Sequence, residues 1–158
     1  MFREVARKKQ ALSQEACIEI LKTVPRGVLS VIGDDGYPYG APINQWYNEA
    51  DGKIYFHGGK KGHKIDALRA CDKVSFVCTD GGRPAEDGWW LVFRSVVVFG
   101  RVEFIDDPVF AEEIVRKLTR KFIEDEEYFA EELKEAGSRT LVFALTPEHI
   151  TGKTVTEK

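Results

Sequence analysis

A stretch that combines glycines, lysines and histidines lies in the first half of the chain. It reads IYFHGGKKGHKIDALR, from Ile54 to Arg69, and it joins an apolar run to the predicted start of a helix. Between His57 and Lys73 there are five Lys or Arg residues and two Asp residues, in a chain whose net charge is −3. A helix N-terminus offers unpaired N–H groups, glycine lets a ligand approach the backbone, and lysine supplies cationic donors. The stretch therefore predicts an anion site, with a phosphate monoester as its natural ligand.

The alternative interpretation of this stretch is a solvated basic turn. It is not a P-loop, because position 57, five residues before Gly62, is not glycine and because no Ser or Thr follows Lys64. Metal binding is not predicted, since two His residues six apart and two Cys residues seven apart do not match the spacing of zinc ligands. A Ser hydrolase is not predicted either, since the chain has no G-x-S-x-G motif.

Two further positions are candidates for ligand contacts. Pro42 lies in a predicted strand with Tyr39 and Asn44, and a proline there indicates an edge or a bulge whose backbone groups are free to face a ligand. An ordinary edge strand is the alternative. Arg94 and Ser95 interrupt a strongly apolar strand. An arginine in such a place requires an anion, a carboxylate or solvent at a rim, because burying an unpaired charge is costly.

Composition limits the class of protein. The chain has 158 residues, of which 43% are hydrophobic and 31% charged, and these values favour a single globular domain spanning 1–158. The negative net charge argues against nucleic-acid binding. We expect neither a signal peptide nor a membrane span, because no apolar run approaches the roughly 20 residues that a span needs. Three cysteines without a CxxC pair predict reduced thiols and a cytoplasmic location.

The elements that must position these residues begin with a helix. Ser13 is its predicted cap, and apolar residues recur at helical spacing as far as Val24. Turns at GDDG and NEADGK then separate three strands, which we predict to form a meander ending in KIYFHG. A short helix and the strand KVSFVCT follow.

The second half of the chain contains the longest apolar run, WWLVFRSVVVFGRVEFI. The first half of that run is apolar on both faces, which suits a strand with the core on one side and another surface on the other. Asp107 and Pro108 predict a helix start, and an acid-rich helical flank extends from Asp106 to Glu135. The last strand is RTLVFALTP, with His149 in a loop. Six mostly antiparallel strands with flanking helices favour a mainly β fold, a small barrel, because closure removes exposed edges.

Six segments of the sequence resemble one known family. They are FREVARKKQALS, GDDGYPYGAPIN, KIYFHGGKKGHKIDAL, KVSFVC, FRSVVVFGRVEF and PEHITGK. In order and spacing these segments resemble the FMN-binding split-barrel proteins of the pyridoxamine 5′-phosphate oxidase-like superfamily, closest to the Nim-type branch, the nitroimidazole-resistance flavoproteins. The resemblance runs nearly from end to end and excludes the acid-rich flank.

This resemblance implies a homodimer of six-stranded antiparallel split barrels with two FMN sites at the interface. Gly62, His63 and Lys64 fall on the family's phosphate-binding segment, and the strand around Pro42 falls beside the flavin ring. The implied cofactor-binding residues are Tyr39, Ala41, Pro42, Ile43, Asn44, His57, Lys61, Gly62, His63, Lys64, Arg94 and Ser95. Of these, Arg94 and Ser95 are implied to meet the cofactor of the partner subunit.

The function implied by the resemblance is that of an FMN-dependent oxidoreductase. Electrons would come from NAD(P)H or a reduced partner and leave to a small, flat, electron-poor substrate, such as a 5-nitroimidazole. His57 is the candidate catalytic residue, as a proton donor, and a structural histidine at the strand end is the alternative. A non-catalytic flavin-binding or electron-transfer protein and a heme-handling split barrel remain as alternatives to the enzyme.

Three departures from the family pattern bear on the substrate. The segment INQWY replaces a more apolar strand and is expected to reshape the pocket, as is the loop GGRPAEDGWWLV. The end TGKTVTEK lacks the arginine-containing terminus that true pyridoxamine phosphate oxidases use to hold their substrate. Oxidation of vitamin B6 is therefore not predicted.

Overall fold

Hydrophobic periodicity places most of the helices and strands where the sequence predicts them. The computed structural model describes residues 1–125, 127–128, 130–131 and 139–156. Helix α1 spans Gln14–Thr23, α2 spans His63–Ala70 and α3 spans Pro108–Arg120. The strands are β1 (Arg26–Ile32), β2 (Pro38–Asn44), β3 (Trp46–Asn48), β4 (Lys53–Gly59), β5 (Lys73–Thr79), β6 (Arg83–Pro84), β7 (Leu91–Phe104) and β8 (Thr140–Thr156).

The strands form one antiparallel sheet whose order is β2-β1-β5-β7-β8-β4-β3, with β6 paired to β7. The predicted mainly β architecture, a split barrel with flanking helices, is confirmed. In this order β2 and β3 are the two terminal strands, so the barrel is open between them. The predicted second strand is divided at Gln45 into β2 and β3, and β6 adds a short pair beside β7.

The predicted three-stranded meander is wrong. The turns at GDDG and NEADGK do form hairpins, since β1 pairs with β2 and β3 pairs with β4. However, β2 and β4 do not pair, because β4 joins the far end of the sheet through β8. The reason is local: Gln45 is fully buried and its side-chain amide donates to the carbonyls of Leu21 and Val24 at the end of α1. This anchor turns the chain away from the first hairpin.

The last strand is longer than predicted. RTLVFALTP accounts only for the first part of β8, which continues to Thr156 and pairs along nearly its whole length with β7. The prediction that His149 lies in a loop is therefore wrong. His149 pairs with Phe99 next to a register shift at Gly100, and its ring stacks on Phe2 with a centroid separation of 5.2 Å.

The predicted helix starts are confirmed. Ser13 accepts a hydrogen bond from the Ala16 N–H at 3.2 Å, and Asp107 accepts from the N–H groups of Val109 and Phe110. Pro108 is the first residue of α3, where its missing N–H costs nothing. The acid-rich flank beyond α3 is described only in part, since 126, 129 and 132–138 lie outside the described residues.

Two apolar clusters hold the fold together. The larger fills the inside of the sheet, where α1 and α2 also contribute, and includes Leu29, Phe56, Phe76 and Phe143. The smaller lies on the outer face of β4 and β8, where α3 packs; its buried members are Tyr55, Ile114, Leu118, Val142 and Ala144. None of the helices in the described part of the chain combines the length and apolar character that a membrane crossing requires.

Candidate functional site

A cavity of about 940 Å³ lies between α3 and the outer face of the sheet. Asn44 and His57, two of the predicted site residues, line it on the sheet side, and Lys60 lies at the same wall. Val142 of β8, the strand partner of His57, adds an apolar side chain to this sheet wall, and apolar side chains of α3, among them Val115, line the opposite part. This volume and the mixed lining are typical of small-molecule sites. The cavity is therefore the candidate ligand site.

His57 reaches this cavity because of strand alternation. On β4, Ile54 and Phe56 point into the core, and Tyr55 and His57 point to the outer face where α3 packs. Asn44 arrives from another direction, as the last residue of β2 before the anchored Gln45. Two residues from opposite ends of the sheet order thus line one cavity.

The predicted anion site lies directly beside this wall, at the start of α2. Gly62 has φ +122°, a conformation that side chains rarely adopt, and no side chain within the described ranges caps the helix. The first N–H groups of α2 are therefore left for a ligand or for water. Lys64 lies in the first turn and reaches back over β4, since a Cβ at position 58 would be 3.7 Å from its Nζ. Burial of this half-buried ammonium group lowers the pKa of Lys64.

The His63 side chain contacts the β1–β2 hairpin. Its Nε2 accepts a hydrogen bond from the Asp34 N–H at 3.4 Å, and its ring centroid lies 4.3 Å from that of Tyr39. Gly33 is also close, because a Cβ there would lie 2.9 Å from Nε2. His63 thus ties the start of α2 to the β1–β2 hairpin. Its backbone N–H, not this nitrogen, is what remains for an anion.

His57 titrates at a lower pH than an ordinary histidine, because its pKa is lowered. The packing around the ring lowers the pKa of His57, and the positive charge of Lys64 lowers it further, although part of the side chain reaches solvent. A neutral imidazole donates from one nitrogen and accepts at the other. In the cavity it can therefore orient a polar ligand at neutral pH, and it becomes a cationic acid only in more acidic solution.

We expect the His57 imidazole to titrate below its usual 6.5 in an NMR titration, and Lys64→Met to raise that pKa. The linkage has a definite sign. The unfolded chain binds this proton more readily than the folded one, so the free energy of unfolding, relative to His57→Gln, should fall as pH decreases below about 6.5. A folded-state pKa at or above 6.5 would contradict this assignment.

The other predicted residues of β2 divide between its two faces. Ala41 and Ile43 are buried in the sheet interior, and Pro42 is exposed. The prediction of an edge strand at Pro42 is confirmed, since β2 is terminal in the sheet. Its outer edge therefore leaves backbone N–H and C=O groups without a neighbouring strand. Lys61, in the turn before α2, is exposed.

Arg94 and Ser95 do not line the cavity under α3. Arg94 is on β7, where its Nε donates to the Asp80 carboxylate at 2.8 Å and its N–H donates to the other oxygen of the same group. Arg94 thus has a carboxylate partner and also reaches solvent, which are two of the three environments expected for it. A pocket of about 300 Å³ lies there, formed by the Gly81–Gly82 turn with β7 and β8.

Some cavity residues carry no recognisable signal in the sequence. They belong to α3 and to the start of β8, and they include Arg116, Thr119 and Thr140. The amphipathic pattern of α3 indicated a helix but not the surface it covers. Two residues from the segments that were expected to reshape the pocket differ from that expectation. The Gln45 side chain points toward α1 and not into the cavity, and Trp89 is almost wholly exposed. Among the described residues, no cluster of three His, Cys, Asp or Glu could hold a metal ion.

Comparison with solved structures supports the fold. A candidate 5-nitroimidazole antibiotic resistance protein from Bacteroides thetaiotaomicron superposes with a TM-score of 0.79 at 20% identity, covering 92% of this chain and 87% of that one. A flavocytochrome from Azotobacter vinelandii gives 0.75 at 24% identity, with 96% and 72% covered. A FAD-binding protein from Mesorhizobium loti gives 0.64 at 24% identity, with 92% and 97% covered. At these identities the likeness shows a shared fold.

Sequence comparison gives the family. A search of curated proteins finds no match to this chain. A family model described as pyridoxamine 5′-phosphate oxidase matches residues 13–154, which contain every strand of the sheet except the last two residues of β8. The chain therefore belongs to the pyridoxamine 5′-phosphate oxidase-like family.

Proposed function

We propose that this protein binds FMN in the cavity under α3 and acts as a flavin-dependent oxidoreductase. One observation carries the proposal: the end of β4 and the turn after it contribute to both places, since Lys64 of α2 approaches Gly58 there and since His57 and Lys60 line the 940 Å³ cavity. An anion site next to a pocket of this size fits a phosphate joined to a large planar group. The solved FAD-binding proteins with this fold are consistent with a flavin.

Lys64 and the backbone N–H groups that follow Gly62 would hold the phosphate. The cationic side chain and the positive end of α2 act on the same point. Each charge-assisted hydrogen bond contributes roughly 1.5–3 kcal/mol, so two or three of them hold a phosphate firmly. Lys60, at the cavity wall, and Lys61 are exposed and strengthen the local positive field.

The free outer edge of β2 and the His57 imidazole would hold the ring system. Backbone groups around Pro42 can donate to and accept from the polar edge of a flavin, because no neighbouring strand uses them. When bound, the flavin supplies the electron-transfer chemistry, and the protein supplies binding and orientation. His57 would orient the bound molecule through hydrogen bonds at neutral pH and supply a proton in more acidic solution.

A homodimer completes the proposal. Several apolar side chains are exposed on the sheet and at its margins, including Val28, Ile32, Leu91 and Phe99, each between 38% and 48% exposed. A second copy placed on this surface would bury them and would satisfy the two-sided apolar pattern of β7. In such a dimer Arg94 and Ser95 would approach the cofactor of the partner subunit.

The proposed substrate is a small, flat, electron-poor compound such as a 5-nitroimidazole, with NAD(P)H or a reduced protein as donor. Likeness to the Bacteroides thetaiotaomicron protein motivates this choice. We propose a cytoplasmic location, in keeping with the buried thiols of Cys17 and Cys78.

The test starts with the colour of the purified protein. We expect a flavin absorption spectrum and, after denaturation, release of a molecule with the mass of FMN. Mixing with NADH or NADPH should bleach the flavin, and a nitroimidazole should restore its colour. A colourless protein that fails to bind added FMN contradicts the proposal. A Soret band would indicate heme, and tight flavin binding without turnover would indicate a carrier in place of an enzyme.

A further inference from the structure

A half-buried lysine joins three elements behind the cavity. Lys121 directly follows α3, and its Nζ donates to the carbonyl of Val24 at 2.7 Å and to that of Gln45 at 2.9 Å. Val24 caps the C-terminal end of α1, and Gln45 forms the corner between β2 and β3. One ammonium group therefore connects the ends of two helices with a corner of the sheet.

Gln45 adds two hydrogen bonds to this junction. Its side chain is fully buried, and its Nε2 donates to the carbonyls of Val24 at 2.8 Å and Leu21 at 3.3 Å. The Val24 carbonyl thus accepts from both Gln45 and Lys121. The Gln45 carbonyl, in contrast, has its side-chain donor only in Lys121 among the hydrogen bonds of the described residues. Removing the ammonium group would leave this carbonyl without that donor.

The residues adjoining the junction line the proposed flavin cavity from two sides. Asn44 precedes Gln45 in the chain and lines the sheet wall. Thr119, Phe122 and Ile123 flank Lys121 and line the helix wall. The turn at this end of α3 is tight, because the N–H groups of Phe122 and Ile123 both donate to the Thr119 carbonyl at 2.9 Å.

We propose that Lys121 is a positioning residue, which holds the end of α3 against the β2–β3 corner and so sets the shape of the flavin cavity. The proposal rests on the proposed function for the identity of the ligand. Its geometric part, the fixed distance between the two cavity walls, is independent of that identity.

A lysine in this place is costly to the fold, which favours a role in the site. Burial lowers the pKa of Lys121 to about 8. The titratable group that acts on it from β5 is the Cys78 thiol, which in turn faces Cys17 of α1, and burial raises the pKa of both thiols. An apolar side chain would fill such a position without this desolvation penalty. Lysine supplies two hydrogen bonds to carbonyls that no apolar residue can supply.

The test compares Lys121→Met with Lys117→Met, a substitution of an exposed lysine on the same helix. We expect Lys121→Met to raise the dissociation constant for FMN at least about tenfold, because bound FMN loses several contacts at once when the two cavity walls move apart. Hydrogen exchange of the backbone amides in 118–123 should also become at least about tenfold faster. Lys117→Met should leave both quantities within about twofold of the wild type. Lys121→Arg, which can donate to both carbonyls, should recover part of the affinity.

A pH series tests whether the Lys121 ammonium group is buried as the structure shows. The folded pKa lies below the usual 10.5, so the unfolded chain binds this proton more readily between about pH 8 and 10.5. The free energy of unfolding of the wild type, relative to Lys121→Met, should therefore rise over that range.

Each outcome decides the question. Unchanged FMN affinity and unchanged amide exchange in Lys121→Met would overturn the proposal. If Lys121→Met does not fold, Lys121→Gln, which keeps one donor, takes its place with the same criteria. If the wild type binds no FMN, the proposed function fails, and amide exchange in Lys121→Met still decides whether Lys121 fixes the two walls.

Discussion

Replacing Lys64 with alanine is expected to raise the dissociation constant for FMN by about 10- to 100-fold. The physical reason is its place in the structure: Lys64 is half-buried in the first turn of α2, beside the unpaired N–H groups that follow Gly62. A charge-assisted hydrogen bond formed in such a partly desolvated position is stronger than one formed in open solvent. Titration of the apoprotein with FMN, followed by flavin fluorescence, measures the change.

Lys60→Ala is the matched comparison. Lys60 carries the same charge and lies four residues earlier, but its side chain is exposed, so its attraction to a phosphate is screened by water and salt. We expect its loss to raise the dissociation constant by less than about threefold, as for an exposed charge pair. Equal affinities in the two variants would show that the phosphate does not lie at the start of α2. Raising the salt concentration should reduce the effect of Lys60→Ala more than that of Lys64→Ala.

Replacing Phe56 with alanine is expected to lower the free energy of unfolding by about 3–5 kcal/mol. Phe56 is fully buried at the centre of the larger apolar cluster, with ring centroids of Phe76 and Phe143 at 5.2 and 5.3 Å. Truncation removes the buried ring and leaves a cavity between β4, β5 and β8 that the surrounding side chains cannot fill. Chemical denaturation at equilibrium, monitored by far-UV circular dichroism, gives the change directly.

Two further variants should lose less unfolding free energy than Phe56→Ala does. Phe56→Leu keeps most of the buried volume and should cost roughly 1–2 kcal/mol. Phe2→Ala removes a ring that is 44% exposed and should cost less than about 1 kcal/mol. A loss in Phe56→Ala no larger than in Phe2→Ala would contradict the assignment of Phe56 to the core. Because His57 follows Phe56 on β4, the destabilised variant should also bind FMN more weakly.

The local elements were predictable because their signals are local. The cap at Ser13, the Asp107–Pro108 helix start and the turn at GDDG each depend on a few adjacent residues, and each is confirmed. The glycine at position 62 behaves in the same way, since its positive φ and Lys64, two residues later, belong to the local start of α2. The resemblance to the split-barrel family supplied the overall architecture.

The pairing of the strands was less predictable. Nothing in INQWY indicates that the Gln45 side chain turns inward to the end of α1, and the meander fails at that residue. The length of β8 was underestimated for a similar reason. PEHITGK contains a proline and a glycine that interrupt the pattern of a strand, yet the ladder with β7 shifts register next to Pro147, at Gly100, and continues in register through Gly152.

For the candidate site the division is the same. The sequence by itself predicted the glycine turn with Lys64 at the start of α2 and the edge strand at Pro42, because both follow from chain-local geometry. Only the tertiary structure decided that α3 covers the cavity, that His63 is held by the hairpin, that Arg94 lies elsewhere with Asp80 and that Lys121 donates to the carbonyls of Val24 and Gln45. These contacts join residues far apart in the chain. Such contacts form only when packing of the apolar faces brings the elements together, and no short pattern of residues encodes which faces will meet.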